Sequence, residues 1–368
     1  MKQIYVAYTP YHFLLSCGLA ALSGSSENKY LIIIPVYSDV NVFNMLLNEW
    51  SNNPFCKIIM TNGIFNVSGK IQPIFMIRNN IKLIKNFFST EVNEACEVFI
   101  FNDRYPEAQL LASLNHDMSG LNTYVEDGSA IYASYIAPNV HIYKKILDKF
   151  LYGFWYHHIT VTGMYNYIDK VMAFQPELVR SELNGKILIK IPQSIFENLK
   201  ITGLLSILLN YYGITERINA KYIIIIPNSE ILNEKLSDSY LSIIRFISSV
   251  LGDGYAKYHP RETKNDFLKV NCYPHIKLIP QSLPIESIFV FLQGENEPEI
   301  IVGDISTSLL TAKSLFKNTK VISIMKFTEL YDKDLEDVFK KMCVLLPLNI
   351  EDFEHLVSQN ESLKFVTD

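Results

Sequence analysis

A chain of 368 residues exceeds one ordinary core and suits two domains of about 100–200 residues each. With 49% hydrophobic and 19% charged residues, it holds enough apolar side chain to offset the entropy of ordering, which excludes a disordered chain. The net charge of -5 excludes a partner gripped through a broadly basic surface, so nucleic acid is not expected.

The N-terminal stretch MKQIYVAYTPYHFLLSCGLA runs from strand into helix with no separate apolar region and cleavage site, so no export is expected. Candidate strands follow at QIYVAY, YLIIIPV, CKIIM, EVFIFND, LNTYVED and KILIKIP, with helical stretches at 11–23, 72–88 and 141–152. The most apolar charge-free run, Leu151 to Ile168, is interrupted by Gly153, two histidines, two threonines and Asn166. It reads as a buried helix rather than a membrane span, with docking on a membrane surface left open. A helical stretch at 194–212 leads into GITERINAK, where the junction is placed, giving domains 1–215 and 216–368.

From Tyr222 onward, short β-branched runs end in Pro, Gly or Asp: YIIIIP, YAKYHP, HIKLIP, EIIVGD, KVISIM and CVLLP. Runs that are apolar on both faces belong to a parallel sheet covered by helices on each side. No repeat of 20–50 residues is visible, which excludes solenoids and propellers. The expected architecture is α/β, with two Rossmann-like domains. The cysteines Cys17, Cys56, Cys96, Cys272 and Cys343 show no CxxC spacing and read as reduced, buried thiols of a cytoplasmic protein.

Ligands of open parallel sheets bind beyond the carboxyl ends of the strands, and three polar clusters stand there. The first is Tyr124-Val125-Glu126-Asp127-Gly128-Ser129, where one carboxylate could act as a base while the other holds the turn; a plain Asp-Gly turn would use the same residues. In the second, Lys257-Tyr258-His259-Pro260-Arg261-Glu262, proline biases His259 toward an extended conformation that projects its imidazole at the sheet's edge. The third, Gly303-Asp304-Ile305-Ser306-Thr307-Ser308, opens a helix. Its three hydroxyls exceed what one cap needs, and the helix start favours an anion. By the same strand-end rule Asn228 and Ser229 should face a nucleotide, and Thr9, Pro10 and His12 should face an acceptor beside Gly128, although capping would also explain the last three.

Taken in order, EDG, HP and Ser-Thr resemble the shared motifs of bacterial sialyltransferases, with the acid in the front half of the chain and the other two in the back half. The opening strand, the TPYH turn and HPRE look most like glycosyltransferase family 52, with the polysialyltransferase family as the close rival. The resemblance implies a GT-B fold whose parallel sheets face a central cleft, and transfer of sialic acid from CMP-sialic acid to a hydroxyl of a surface glycan such as lipooligosaccharide or capsule. It makes Glu126 the general base and Asp127 its support, with Asp127 as the alternative base. It makes His259 the group that binds the CMP phosphate and stabilises or protonates it as it leaves, gives Ser306 and Thr307 to that phosphate, and places Pro260 and Ser308 with them on the CMP-binding side. Glu286, in SLPIESIF, stands where these families grip the ribose.

The leaving group bears one negative charge, and the sequence shows no Asp-x-Asp at a strand end and no cluster with metal spacing, so an inverting reaction without a metal or other cofactor is expected. The expected partners are the nucleotide-sugar donor and an oligosaccharide acceptor. A cytoplasmic enzyme, peripheral on the inner membrane face, and a homodimer complete the expectation. Two alternatives stay open: another CMP-activated acid (Kdo, legionaminic or pseudaminic acid), or a non-catalytic bilobed binding protein.

Overall fold

The computed structural model describes residues 1–24, 28–36, 46, 49–61, 63, 72–133, 136–214, 220–229, 234–260, 262, 264–294, 296–328 and 330–362. Arg261 and most of the expected junction in GITERINAK lie outside the described residues. The chain divides into two compact units, Met1–Leu208 and Leu209–Asp368. This division falls a few residues ahead of the expected 215/216, inside a helix rather than in the polar segment after it.

The first unit holds strands β1 (Lys2–Ala7), β2 (Lys29–Ile33), β3 (Lys57–Met60), β4 (Cys96–Ile100), β5 (Leu121–Val125), β6 (Lys170–Ala173) and β7 (Ile187–Lys190). Its helices are α1 (Pro10–Leu22), α2 (Gln72–Phe87), α3 (Pro106–Asp117), α4 (Ile142–Tyr152), α5 (Ser194–Ile201) and α6 (Leu204–Tyr211), the last running across the division. The seven strands pair in the order β3-β2-β1-β4-β5-β6-β7, every pair parallel. All five residues of β2 are buried, as expected of a strand covered on both faces.

The second unit holds β8 (Tyr222–Ile226), β9 (Gly254–Tyr258), β10 (Ile276–Leu278), β11 (Ile300–Gly303) and β12 (Lys320–Ser323). Its helices are α7 (Glu234–Leu251), α8 (Ile285–Leu292), α9 (Ser308–Leu315), α10 (Lys333–Lys341) and α11 (Ile350–Ser362). The strand order is β10-β9-β8-β11-β12, again parallel throughout. Ile224, Ile226 and Val302 from the sheet pack with Tyr240, Ile243 and Ile247 of α7 into one core.

Both sheets are doubly wound. Strand order reverses between β1 and β4 in one and between β8 and β11 in the other, and a ligand crevice forms beyond the carboxyl ends at such a point. At the opposite, amino end of the first sheet, Asn115 of α3 acts as a clamp. Its Oδ1 accepts from Cys96 N at 3.0 Å, while its Nδ2 donates to Cys96 O and Leu121 O at 3.1 Å and to Asn122 Oδ1 at 3.0 Å.

Four expectations are corrected. The four-residue strand β6, KVMA, was not anticipated; its outer neighbour β7 was. CVLLP contributes a single bridge, Leu345 to Ile322, because Cys343, at φ 58°, turns the chain before it and Pro347 has no N–H to continue the ladder after it. The run 151–168 is not a helix beyond Tyr152: Gly153, at φ 139°, ends α4, and turns carry Tyr156, Tyr165 and Ile168 into the core. All five cysteines are free, but only Cys17 and Cys96 are buried, the other three lying at turns and edges open to solvent.

Candidate functional site

In the first unit the backbone N–H of Glu126 extends the β5–β6 ladder by one bond, to Met172 O at 2.9 Å, so Glu126 is the first residue past the strand's carboxyl end. Its side chain is 3% exposed. Oε2 accepts from the Tyr132 hydroxyl at 2.5 Å and from Phe174 N at 2.9 Å. Burial pushes this carboxyl up to about 7, against the pull of those two donors. A base with that affinity is charged in a useful fraction at neutral pH and still takes a proton readily.

Asp127 is less enclosed. Its Oδ1 accepts from the Tyr124 hydroxyl at 2.7 Å and its Oδ2 from Asn102 Nδ2 at 3.2 Å, and Asn102 lies just past β4. Burial lifts its carboxyl to about 6, with the Tyr124 bond opposing and the nearby Asp103 charge adding to the rise. Gly128 then takes φ 146° and ψ -163°, a region that side chains avoid, so the turn requires glycine. Here the structure brings together the acidic pair and the glycine, gives Tyr124, which stood in the cluster without a role, a bond to Asp127, and adds Tyr132 and Asn102, which sequence reasoning missed. Tyr132 could have been suspected from its place six residues on, in the turn that follows EDG; Phe174 and Asn102 carry no local signal.

Thr9 is the cap of α1, its Oγ1 accepting from His12 N at 3.2 Å, and Pro10 is the first helical residue. Both are partly exposed at the switch point. His12 departs from expectation. It is 4% exposed, its ring stacks on Phe101 with centroids 4.9 Å apart, and its Nδ1 accepts from Tyr8 N at 3.4 Å. Burial drives its basicity down to about 3, so the ring is neutral, and its apolar setting makes it part of the core rather than an acceptor-facing group.

In the second unit β9 ends at Tyr258, and His259 and Pro260 are exposed beyond it. The His259 carbonyl accepts from Glu262 N at 2.9 Å and from Gln281 Nε2 at 3.1 Å, which fixes the loop that carries the imidazole. Asn228 is buried just past β8. Ser229 is committed locally: its N–H and hydroxyl both donate to the buried Glu262 carboxylate, at 2.5 and 2.8 Å. Glu262, present in the HPRE cluster but given no role, therefore ties the loop after β8 to the loop after β9.

At the start of α9 the three hydroxyls divide their work. Ser306 Oγ accepts from Ser308 N at 3.3 Å, Ser308 Oγ donates to Glu286 Oε1 at 2.8 Å, and Thr307, at the cap position, makes no side-chain cap bond. Ser306 and Thr307 are partly exposed beside the helix start, whereas Ser308 is buried against Glu286. Burial raises the Glu286 carboxyl above its usual range, opposed by its own backbone N–H, by Ser308 and by Lys257. Lys257 is itself buried, donating to Tyr258 O at 3.1 Å and Gln281 O at 3.0 Å, and burial lowers its ammonium to about 8. Among the described residues no group of three His, Cys, Asp or Glu side chains is placed to hold a metal.

Comparison with solved structures defines the class. The chain is similar to an α/β-galactoside α-2,3-sialyltransferase from the luminous marine bacterium Photobacterium phosphoreum, at TM-score 0.57 and 13% identity, over 94% of this chain and 98% of that one. It is also similar to a UDP-GlcNAc 2-epimerase from Neisseria meningitidis, at TM-score 0.52 and 13% identity, over 98% and 99%. The fold is therefore that of the GT-B glycosyltransferases and related epimerases. Residues 3–325 match the alpha-2,8-polysialyltransferase (POLYST) family, so the chain belongs to that family and is a sialyltransferase acting on a nucleotide-sugar donor and a glycan acceptor. The family is the one that the motif resemblance ranked second, behind family 52. No curated protein matches the sequence.

Proposed function

We propose that the protein transfers sialic acid from CMP-sialic acid to a hydroxyl of a cell-surface glycan, with inversion and without a metal. The observation that carries this reading is Glu126: a carboxyl lifted to about 7 by burial, at the end of a strand beside the switch point of its sheet. Its role is general base. It takes the acceptor's proton as the new bond forms, while the bond to the CMP phosphate breaks and His259 binds or protonates that phosphate. Ser306 and Thr307 hold the phosphate, and Glu286 takes the ribose, with Ser308 keeping its carboxylate in place.

With no covalent intermediate, a β-linked donor gives an α-sialoside. The donor's phosphodiester bears one charge and the departing CMP gains a second as the bonding electrons leave with its oxygen; an imidazole that donates a proton, two hydroxyls and a helix start can offset it, which supports the metal-free reading. The family description suggests an α-2,8 linkage as the first product to seek.

The test is incubation of the purified protein with CMP-sialic acid and a set of glycan acceptors, following CMP release and product mass and linkage. Addition of a chelator should leave the rate unchanged. Glu126→Gln should keep CMP binding and lose transfer. Absence of turnover with CMP-sialic acid, alongside turnover of CMP-Kdo or another CMP-activated acid, would overturn the donor assignment.

A further inference from the structure

We infer that helices α2 and α4 form a membrane-docking face that binds an anionic lipid surface. The first observation is exposure on α4. Ile142, Ile146 and Phe150 recur every fourth residue, with Tyr143 and Leu147 beside them, so they form one stripe along the helix. That stripe faces solvent: Ile142 is 77% and Phe150 74% exposed, and Phe154, which packs edge-on to Phe150, is 79% exposed. On α2, which packs against α4, Phe75 and Leu83 are exposed as well. A contiguous apolar surface of this kind on a folded unit marks an interaction site.

Charge selects the occupant. On a chain of net charge -5, α2 carries Arg78, Lys82 and Lys85 with no acidic residue, and α4 carries Lys144, Lys145 and Lys149 with one, Asp148. Asp148 points the other way, buried and paired with His158 at 2.8 Å. The nearest acids after α2 are also engaged, Glu91 with Lys57 at 2.8 Å and Glu94 with Lys2 at 3.0 Å. The face is thus apolar and cationic with no carboxylate of either helix turned toward it.

A second copy of the chain suits this surface poorly, because a two-fold contact would set these lysines against the same lysines. An anionic bilayer suits both features: the apolar stripe enters the headgroup boundary and the flanking amines meet lipid phosphates. At 11 residues α4 is far short of the ~20 needed to span a bilayer, and no described helix is long and apolar enough to cross one, so the helix lies in the interface plane. This inference stands apart from the catalytic reading, since none of these side chains belongs to the candidate site.

The test is co-sedimentation of the full chain with vesicles of equimolar phosphatidylglycerol and phosphatidylethanolamine, against vesicles of phosphatidylcholine alone. Wild-type protein should bind the anionic vesicles and release as salt rises, since a basic residue near an anionic surface is worth about fivefold in partitioning. The triple variant Lys144→Gln, Lys145→Gln, Lys149→Gln should bind roughly a hundredfold less by the same factor, and Phe150→Ser with Phe154→Ser should bind at least about tenfold less. Transfer to a short, freely diffusing acceptor should be unchanged in both. Equal binding to the two vesicle types, salt-insensitive binding of the wild type, or wild-type-like binding by both variants would overturn the inference. So would a dimer, seen by sedimentation velocity, that the Phe150/Phe154 variant splits without loss of vesicle binding, for then a second copy covers the face.

Discussion

The phenol of Tyr132 stands 2.5 Å from Glu126 Oε2 and donates to it, while its own oxygen accepts from Gln175 N at 3.2 Å. The Glu126 carboxylate is thereby held by a group that favours its charged form, against burial that disfavours it. Tyr132→Phe removes the donor, so the carboxyl should rise further above 7 and a smaller fraction should be ionised at neutral pH. The acid limb of the kcat/KM profile should move up by about one to two units, the size expected for one hydrogen bond to a charged group. Glu126→Gln should instead cost roughly 10²–10⁴-fold above the acid limb, and its residual activity should show no such limb, having no proton to lose. A limb that stayed in place in Tyr132→Phe would mean that Glu126 is not the titrating base.

The same raised affinity has a stability consequence of fixed sign. Folded Glu126 holds its proton up to about 7, whereas an unfolded glutamate releases it near its ordinary value, so between the two the folded state binds more protons. Stability therefore falls as pH rises through that window. Glu126→Gln relieves this, and its melting temperature should exceed that of wild type at about pH 8, by a free energy of up to about 3 kcal/mol, but not at about pH 4. Calorimetry at the two pH values checks it; a gain of equal size at both would exclude the titration as its source.

Glu262 predicts a donor-side effect. Its carboxylate satisfies the Ser229 N–H and hydroxyl, and Lys264 N at 2.7 Å, so Glu262→Ala leaves partly buried donors without this acceptor and frees two loops from each other. The loss should be about 1–3 kcal/mol in stability for each unsatisfied group. KM for the donor should rise and KM for the acceptor should hold, which steady-state kinetics with each substrate varied in turn will show.

Glu286→Gln keeps the shape beside Ser308 but removes the charge. If the ribose hydroxyls are held there, the Kd for CMP should rise about 10–100-fold, the range for charge-assisted hydrogen bonds. Titration calorimetry with CMP gives the answer directly; an unchanged Kd would leave Glu286 a purely internal partner of Ser308.

His12→Ala separates packing from acceptor contact. Removing a buried ring stacked on Phe101 should lower stability by about 2–4 kcal/mol, while acceptor KM stays near that of wild type. A large rise in acceptor KM with unchanged melting would return His12 to the binding surface.

Much of this arrangement was legible from residues close together in sequence. Runs such as YIIIIP and EIIVGD announce doubly covered parallel strands because every position is apolar and their ends are marked by Pro or Gly-Asp. EDG, HP and Ser-Thr were found because strand ends carry ligands in such sheets. The four-residue KVMA was too short to stand out from the aromatic loop before it, and it becomes a strand only because β5 and β7 lie on either side. The partners that tune Glu126 and Asp127 were hidden for a related reason: Phe174 and Asn102 reach the acidic pair through strand order, which no local pattern encodes. His12 misled because its position after β1 is that of a ligand contact, while its side chain turns back onto Phe101.

The Asn115 clamp reaches further than its position suggests. By stitching the beginnings of β4 and β5 together, one amide prevents those strands from sliding past each other, as a rivet at one end of two bars fixes the alignment of the other. The distant tips carry Asn102 and Asp127, whose 3.2 Å contact survives only in that alignment. Mistakes at the hinge end should therefore be felt at the acidic pair, five residues of strand away from where they are made.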